Sequence, residues 1–134
     1  MRVLVDSDIW SAAFRREHPE TTPSTRMLRE LIEADQVGMI GLIRQEVLSG
    51  IREAKDFERV KQSLLAFPDE PIATDIHELA ASLFNTCRAK GIQGSHTDFL
   101  ICGCAITWKM KIFSRDGDYR QYQQAIPIEL LDIA

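Results

Sequence analysis

The chain has only three cysteines, Cys87, Cys102 and Cys104, and no two of them stand in a C-x-x-C spacing. The odd count excludes a fully paired disulfide framework, and the spacing excludes the common zinc motifs. The three read as buried thiols of a reduced, cytoplasmic protein. Long apolar runs are missing too: none approaches the ~18–20 residues of a membrane span. The chain enters Val3-Leu4-Val5-Asp6 with no apolar leader or small-residue cleavage site, which predicts no secretory signal. Nor is there an excess of positive charge. With 16 Lys and Arg against 20 Asp and Glu, the net charge is −4. That argues against broad nucleic-acid binding through a basic surface, while leaving room for nucleic acid at one site. The basic residues fall into local groups: Arg15/Arg16, Arg52/Lys55/Arg59/Lys61, Arg88/Lys90 and Lys109/Lys111/Arg115/Arg120. Each group by itself reads as a solvated helix face. Internal repeats and low-complexity segments are absent.

What remains is an ordinary globular composition, 45% hydrophobic and 27% charged in 134 residues. That length predicts one domain over 1–134 that buries roughly two thirds of its unfolded surface. Arg2–Val5 is β-branched, apolar and short, as a buried strand should be. Ile9–Phe14 reads as a short helix. Thr22 then caps a helix with Pro23 at its first position and a stripe of Met27, Leu28, Leu31, Ile32 and Val37. Gly38–Leu42 is predicted as a strand. Ile43, Val47, Leu48 and Ile51 give the next helix its apolar face, and Lys55–Phe67 is amphipathic through Phe57, Val60, Leu64, Leu65 and Phe67. Ile72-Ala73 is a candidate edge strand. Thr74 is predicted to cap a helix running to Lys90, with Gly91 as its stop. Thr97–Trp108 is apolar all round, hence central. Lys111–Phe113 is a strand, Gly117–Gln124 a short helix, and Ile126–Leu131 a last strand. Strands alternating with helices imply a parallel sheet covered on both faces.

Against this frame the acids stand out. Asp6 ends the first strand, Glu46 lies about 60° from Ile43 on its helix, Asp98 opens the buried helix, and Asp116 follows the strand at Phe113. In an alternating α/β chain such places gather at one rim of the sheet, where ligands bind. Each acid also has a plainer reading. Asp6 suits an Asx-turn or cap, although Asp8 is the better cap candidate. Ser95-x-x-Asp98 is a loosened capping box, and Asp116-Gly117-Asp118 is good turn material. The set carries the argument. Two carboxylates ~5 Å apart at an effective dielectric of ~20 repel by ~3 kcal/mol. Protonation or a cation must relieve that repulsion. No His or Cys accompanies the acids at ligand spacing, so the donors are hard oxygens, which suit Mg²⁺ or Mn²⁺ better than Zn²⁺.

Val3-Leu4-Val5-Asp6-Ser7, Glu46 within Arg44-Gln45-Glu46-Val47-Leu48, Thr97-Asp98-Phe99-Leu100-Ile101, and Ile112-Phe113-Ser114-Arg115-Asp116-Gly117-Asp118-Tyr119 together resemble the PIN-domain ribonucleases. Within that family they look most like a VapC-type toxin of a toxin–antitoxin pair, in order and over essentially the whole length. The resemblance implies a three-layer α/β/α fold with a small, mainly parallel sheet of about five strands. It also implies Mg²⁺- or Mn²⁺-dependent endonucleolytic cleavage of RNA, homodimers, and a cognate VapB-type antitoxin whose C-terminal arm lies over the active-site groove. By position, Asp6 and Asp98 match the acids that hold the metal most directly, with Glu46 and Asp116 completing the pocket. Asp118 matches a variably present fifth acid. Ser7 matches the small polar residue after the first acid, and Ser114 the Ser/Thr that hydrogen-bonds within the pocket. Cys102 and Gly103 depart from the small alanines expected there, a packing change that leaves the acids alone. His96 is a further departure and reads as a loop filler.

Two other readings compete. Asp6-Ser7-Asp8 after a strand resembles the Asp-x-Asp start of haloacid-dehalogenase phosphatases, but Trp10 stands where Thr or Val is usual, and no motif lysine is evident. A receiver-type phospho-switch would need an Asp at a mid-chain strand end and a lysine after a later strand. Glu46 lies in a helix instead, and no Lys-Pro pair follows Ile112.

Overall fold

The computed structural model describes residues 1–19 and 21–133. In chain order its elements are β1 (Val3–Val5), α1 (Ser7–Phe14), α2 (Pro23–Glu33), β2 (Val37–Gly38), α3 (Gly41–Leu48), α4 (Ala54–Leu64), α5 (Thr74–Ala89), α6 (His96–Trp108), β3 (Lys111–Phe113) and α7 (Asp118–Tyr122). β1 is the central strand of the parallel sheet β2-β1-β3, with Val5 opposite Phe113. Val3, Leu4 and Val5 are all fully buried. Because successive side chains of a strand point to opposite faces, the sheet is covered on both, which makes a three-layer α/β/α arrangement. No helix among the described residues is long and apolar enough to cross a membrane.

The expected strands are shortened for identifiable reasons. α2 closes in a Schellman turn, in which the Asp35 N–H donates to Ile32 O and the Gln36 N–H to Leu31 O. Asp35 takes a φ of 54° there. That turn releases Val37 from the helical stripe into β2. The strand expected over Gly38–Leu42 stops at Gly38, because Met39 O accepts from the Glu70 N–H and Gly41 already opens α3. Ile72-Ala73 pairs with no strand among the described residues; Ala73 is the extended residue before α5, so Thr74 falls inside that helix and does not cap it. Over Ile126–Leu131 a single bridge survives, Ile112 with Leu130. The Ile128 N–H donates to Ile126 O across Pro127, a tight three-residue turn that bends the segment off the ladder. The three strands and this bridge thus stand where about five strands were expected.

Other sequence signals take the form the chemistry predicts. Thr22 and Thr25 complete a reciprocal capping box at the start of α2, with Pro23 at its first position. Gly91, at φ 77°, closes α5: its N–H donates to Arg88 O while that of Ile92 donates to Cys87 O. α6 buries Phe99 and Ile101–Ala105. A Cβ at Gly103 would meet Ile76 O at 3.2 Å, so glycine sets the close crossing of α5 and α6. All three cysteines are free and buried. Leu65, expected on the apolar face of its helix, is 64% exposed, because α4 ends at Leu64 and carries it past the core.

Candidate active site

The C-terminal rim of the sheet is where the acids meet. The Asp6 N–H donates to Phe113 O at 2.9 Å, one step beyond the last β1–β3 pair, which sets Asp6 beside Ser114. Asp6, not Asp8, is the N-cap of α1: its Oδ1 accepts from the Ser7 N–H at 2.8 Å. Its Oδ2 accepts from Ser114 Oγ at 2.9 Å. Asp8 lies in the first turn of α1 and reaches across to β3's exit, accepting from the Arg115 N–H at 2.9 Å and lying 3.4 Å from Ser114 Oγ. Ser114 Oγ also accepts from the Asp116 N–H at 3.0 Å. One serine hydroxyl thus ties the exit of β1, the first turn of α1 and the loop after β3 into a single corner.

Asp98 resolves its two readings by doing half of each. Its backbone N–H donates to Ser95 Oγ at 3.1 Å, so the serine caps α6. The carboxylate does not turn back to complete the capping box. It accepts from the Tyr122 hydroxyl at 2.7 Å, and the Tyr119 hydroxyl lies 3.4 Å from its other oxygen. The tyrosines are buried on α7. Asp116 Oδ1 accepts from the Asp118 N–H at 2.9 Å, the turn expected of Asp-Gly-Asp. Even so, one carboxylate oxygen from each of Asp98, Asp116 and Asp118 lies within 4.8 Å of the other two. Among the described residues this is the one acidic group of that tightness. Asp118, the least expected member, is therefore in it, while Asp6 and Glu46 stand alongside.

Electrostatics binds the two parts together. Burial pushes the Asp6 carboxyl up to about 6; the Asp8 and Glu46 charges add to this, while the bonds from Ser7 and Ser114 oppose it. Glu46, on α3, is raised by burial and by the Asp98 charge, against the pull of the nearby Ser7 hydroxyl. Asp98 is raised by burial, opposed by the Tyr122 bond and supported by Asp116 and Asp118. Glu46 Oε1 and Asp8 Oδ1 are buried without a hydrogen-bond partner. Orphaned carboxylate oxygens beside raised carboxyls suit a site built for a cation. The donors are all hard oxygens, so the residues fit Mg²⁺ or Mn²⁺.

Three contributors were not singled out from sequence. In the sequence Asp8 suits a cap, Tyr122 falls within the short helix Gly117–Gln124, and Gly94 carries no signal. A Cβ at Gly94 would come within 2.7 Å of the Tyr122 ring, so glycine makes the room that lets this hydroxyl reach Asp98. His96 stacks on Phe84 at 4.8 Å.

The PIN domain family profile matches residues 3–125. The chain belongs to the PIN-domain family. No curated protein matches it by sequence. Among solved structures, this PIN domain is similar to a chain of FitAcB from Neisseria gonorrhoeae, with a TM-score of 0.78 at 19% identity, over 97% of this chain and 96% of that one. It is also similar to a chain of VapBC2 from Rickettsia felis, a complex bound to a DNA fragment from its promoter, with a TM-score of 0.79 at 14% identity and 98% of each chain covered. A toxin–antitoxin complex from Klebsiella pneumoniae gives a TM-score of 0.66 at 20% identity, over 87% of this chain and 89% of that one. At these identities the likeness establishes the fold, and the PIN domain is a nuclease family.

Proposed function

We propose that this PIN domain is a Mg²⁺- or Mn²⁺-dependent endoribonuclease, the VapC-type toxin of a type II toxin–antitoxin pair. The observation that carries the reading is the Asp98 carboxylate, turned away from its own capping box and brought within 4.8 Å of Asp116 and Asp118. Asp98, Asp116, Asp118 and Asp6 would hold the metal, and Asp6, Glu46, Asp98 and Asp116 form the catalytic set. A bound divalent ion would supply an acidified water and offset charge on the phosphate in flight. The chain's own part is positioning. Ser114 holds Asp6 Oδ2, Tyr122 holds Asp98 Oδ2, and Glu46 leaves Oε1 unpaired and facing inward. Ser7 supports from the first turn of α1, through its N–H to Asp6 and its hydroxyl near Glu46. Nothing in this arrangement requires the RNA 2′-hydroxyl, so the products carry 5′-phosphate and 3′-hydroxyl ends.

The complexes with similar folds support an antitoxin partner. The reading includes a homodimer acting in the cytoplasm, with residues 1–134 as one nuclease domain. The decisive experiment incubates purified protein with a structured RNA in Mg²⁺ or Mn²⁺, and again in excess EDTA. Cleavage should require the ion and should vanish in Asp98→Asn while that variant keeps its circular dichroism. Equal cutting in EDTA refutes the metal mechanism. For the toxin role, expression should arrest growth, Asp98→Asn should not, and the product of an adjacent small gene should restore growth.

A further inference from the structure

The substrate of a phosphodiester nuclease is a polyanion, and the carboxylate corner repels it. A chain of net charge −4 must hold such a strand with a local cluster of cations. One exists. A groove of about 660 Å³ opens beside Asp8, lined by Arg15 and Arg16 at the end of α1, by Arg115 after β3, and by Ser11 and Thr22. Arg15 and Arg16 are a hundred residues from Arg115 in sequence and belong to separate basic groups, so only the fold joins them. None of the three is in an ion pair among the described residues, and they converge on one opening from two separate parts of the chain. Asp8 is the one acid of the lining, and its Oδ2 is occupied by the Arg115 N–H and Ser114 Oγ. Arg115 sits in sequence between Ser114, which holds Asp6, and Asp116 of the acidic triad, so the groove begins where the carboxylates end. The groove on the α5–α6 side, about 280 Å³ around His77, His96 and Thr97, has no arginine or lysine in its lining.

We propose that the Arg15–Arg16–Arg115 groove is the subsite for the backbone phosphates of single-stranded RNA next to the scissile bond, so that the strand is held on the α1–α2 side of the carboxylates. Unpaired guanidinium groups suit this task because their planar fork meets a phosphate through two hydrogen bonds. Contacts of this kind read no bases, so the groove contributes affinity and strand direction without sequence preference. The proposal rests on the nuclease reading for its substrate, and the test separates the two.

Binding of a 5′-labelled 12-nucleotide RNA of mixed sequence is followed by fluorescence anisotropy in EDTA, where the strand stays intact, over a series of salt concentrations. Removing all three arginines (Arg15→Ala, Arg16→Ala, Arg115→Ala) should flatten the slope of log K against log salt by about 2, at ~0.7 per phosphate contact on a single strand. Replacing all three by lysine should keep most of the slope, because the charges stay. Arg88→Ala, outside the groove, should leave it unchanged. Should the triple alanine variant fail to fold, Arg16→Ala and Arg115→Ala, both at exposed positions, carry the test singly at about 0.7 each. Equal affinity and slope in wild type and triple variant, or an equal loss in Arg88→Ala, overturns the proposal. So does a triple variant that binds RNA normally but loses an acidic protein partner. Cleavage of the same RNA by wild type in Mg²⁺ is scored separately. If it is absent while the slope still depends on the arginines, the nuclease reading fails and the groove stands.

Discussion

Replacing Asp6 by asparagine should stabilise the metal-free protein, and by an amount that depends on pH. Asp6 is 8% exposed, and its carboxyl is raised from 3.8 to about 6, chiefly by burial. The sign follows from linkage. Below pH 3.8 the group is protonated whether the chain is folded or not, and burial carries no charge penalty. Between pH 3.8 and 6 the folded state keeps a proton that the unfolded state has lost, so stability falls as pH rises through that window. Above pH 6 the loss is complete, about 3 kcal/mol at ~1.4 kcal/mol per pH unit. An asparagine at position 6 escapes this. Its oxygen can still accept from the Ser7 N–H, and its amide can face Ser114 Oγ, which rotates to accept and to donate toward Asp8.

Urea unfolding in EDTA at pH 4 and pH 8 tests this directly. Asp6→Asn should match the wild type within about 1 kcal/mol at pH 4 and exceed it by about 3 kcal/mol at pH 8, equivalent to roughly 10 °C in Tm for a domain of this size. Adding Mn²⁺ at pH 8 should reverse the order. An ion at a hundred times its Kd stabilises the wild type by about 2.7 kcal/mol and should do little for the variant. A variant destabilised equally at both pH values would refute the argument, because it would make Asp6 a structural cap whose hydrogen bonds, and not its charge, matter.

Three further outcomes are expected. Tyr122→Phe removes the 2.7 Å bond to Asp98 Oδ2 and should lower the RNA cleavage rate about tenfold with the fold intact; Gly94→Ala, which crowds the same ring, should do the same, and undiminished rates in both would remove Tyr122 from any positioning role. Arg59 donates to Phe14 O at 3.0 Å and Arg15 O at 2.7 Å, closing the end of α1, so Arg59→Met should cost roughly 2 kcal/mol in urea unfolding, with cleavage per folded molecule unchanged. Asp35 places an L-residue at φ 54° and a negative charge at the C-terminus of α2; Asp35→Gly should therefore raise stability by about 1 kcal/mol, read as a Tm increase of a few degrees.

The helices were legible because their signals are local. Thr22-Pro23, Gly91 and the apolar stripe of α5 act within a few residues of themselves, and each element begins or ends close to where that chemistry places it. The strands were less so. A strand of two or three residues is defined by its neighbours' hydrogen bonds and not by its own composition. Val37 follows the periodicity of the α2 stripe but belongs to β2, because the Asp35 turn ends the helix first, and Ile126–Leu131 has the β-rich composition of a strand with only one bridge to show for it.

The site divides along the same line. Asp6, Asp98 and Asp116 could be singled out because each sits at an element boundary, and boundaries are visible in sequence; Glu46, inside α3, stands out only by its place at the edge of the apolar face. What each carboxylate does there is a matter of direction, and direction is set by partners far away in the chain. Asp98 is aimed by two tyrosines more than twenty residues on, one of which fits only because position 94 lacks a Cβ. Asp6 takes the cap that spacing assigns to Asp8 while staying at the site, and Asp8 reaches instead to the Arg115 N–H and toward Ser114, across the sheet. The basic groups behave in the same way. Arg59 becomes a helix cap, while Arg15, Arg16 and Arg115 are left unpaired around one opening. A solvated helix face gains nothing from keeping its cations away from an abundance of nearby acids. A groove that must accept phosphates next to a carboxylate site does, since any ion pair formed there would have to break before substrate entered. The convergence of three unpaired arginines on one opening beside the carboxylates, more than the count of charges, therefore marks this side of the PIN domain.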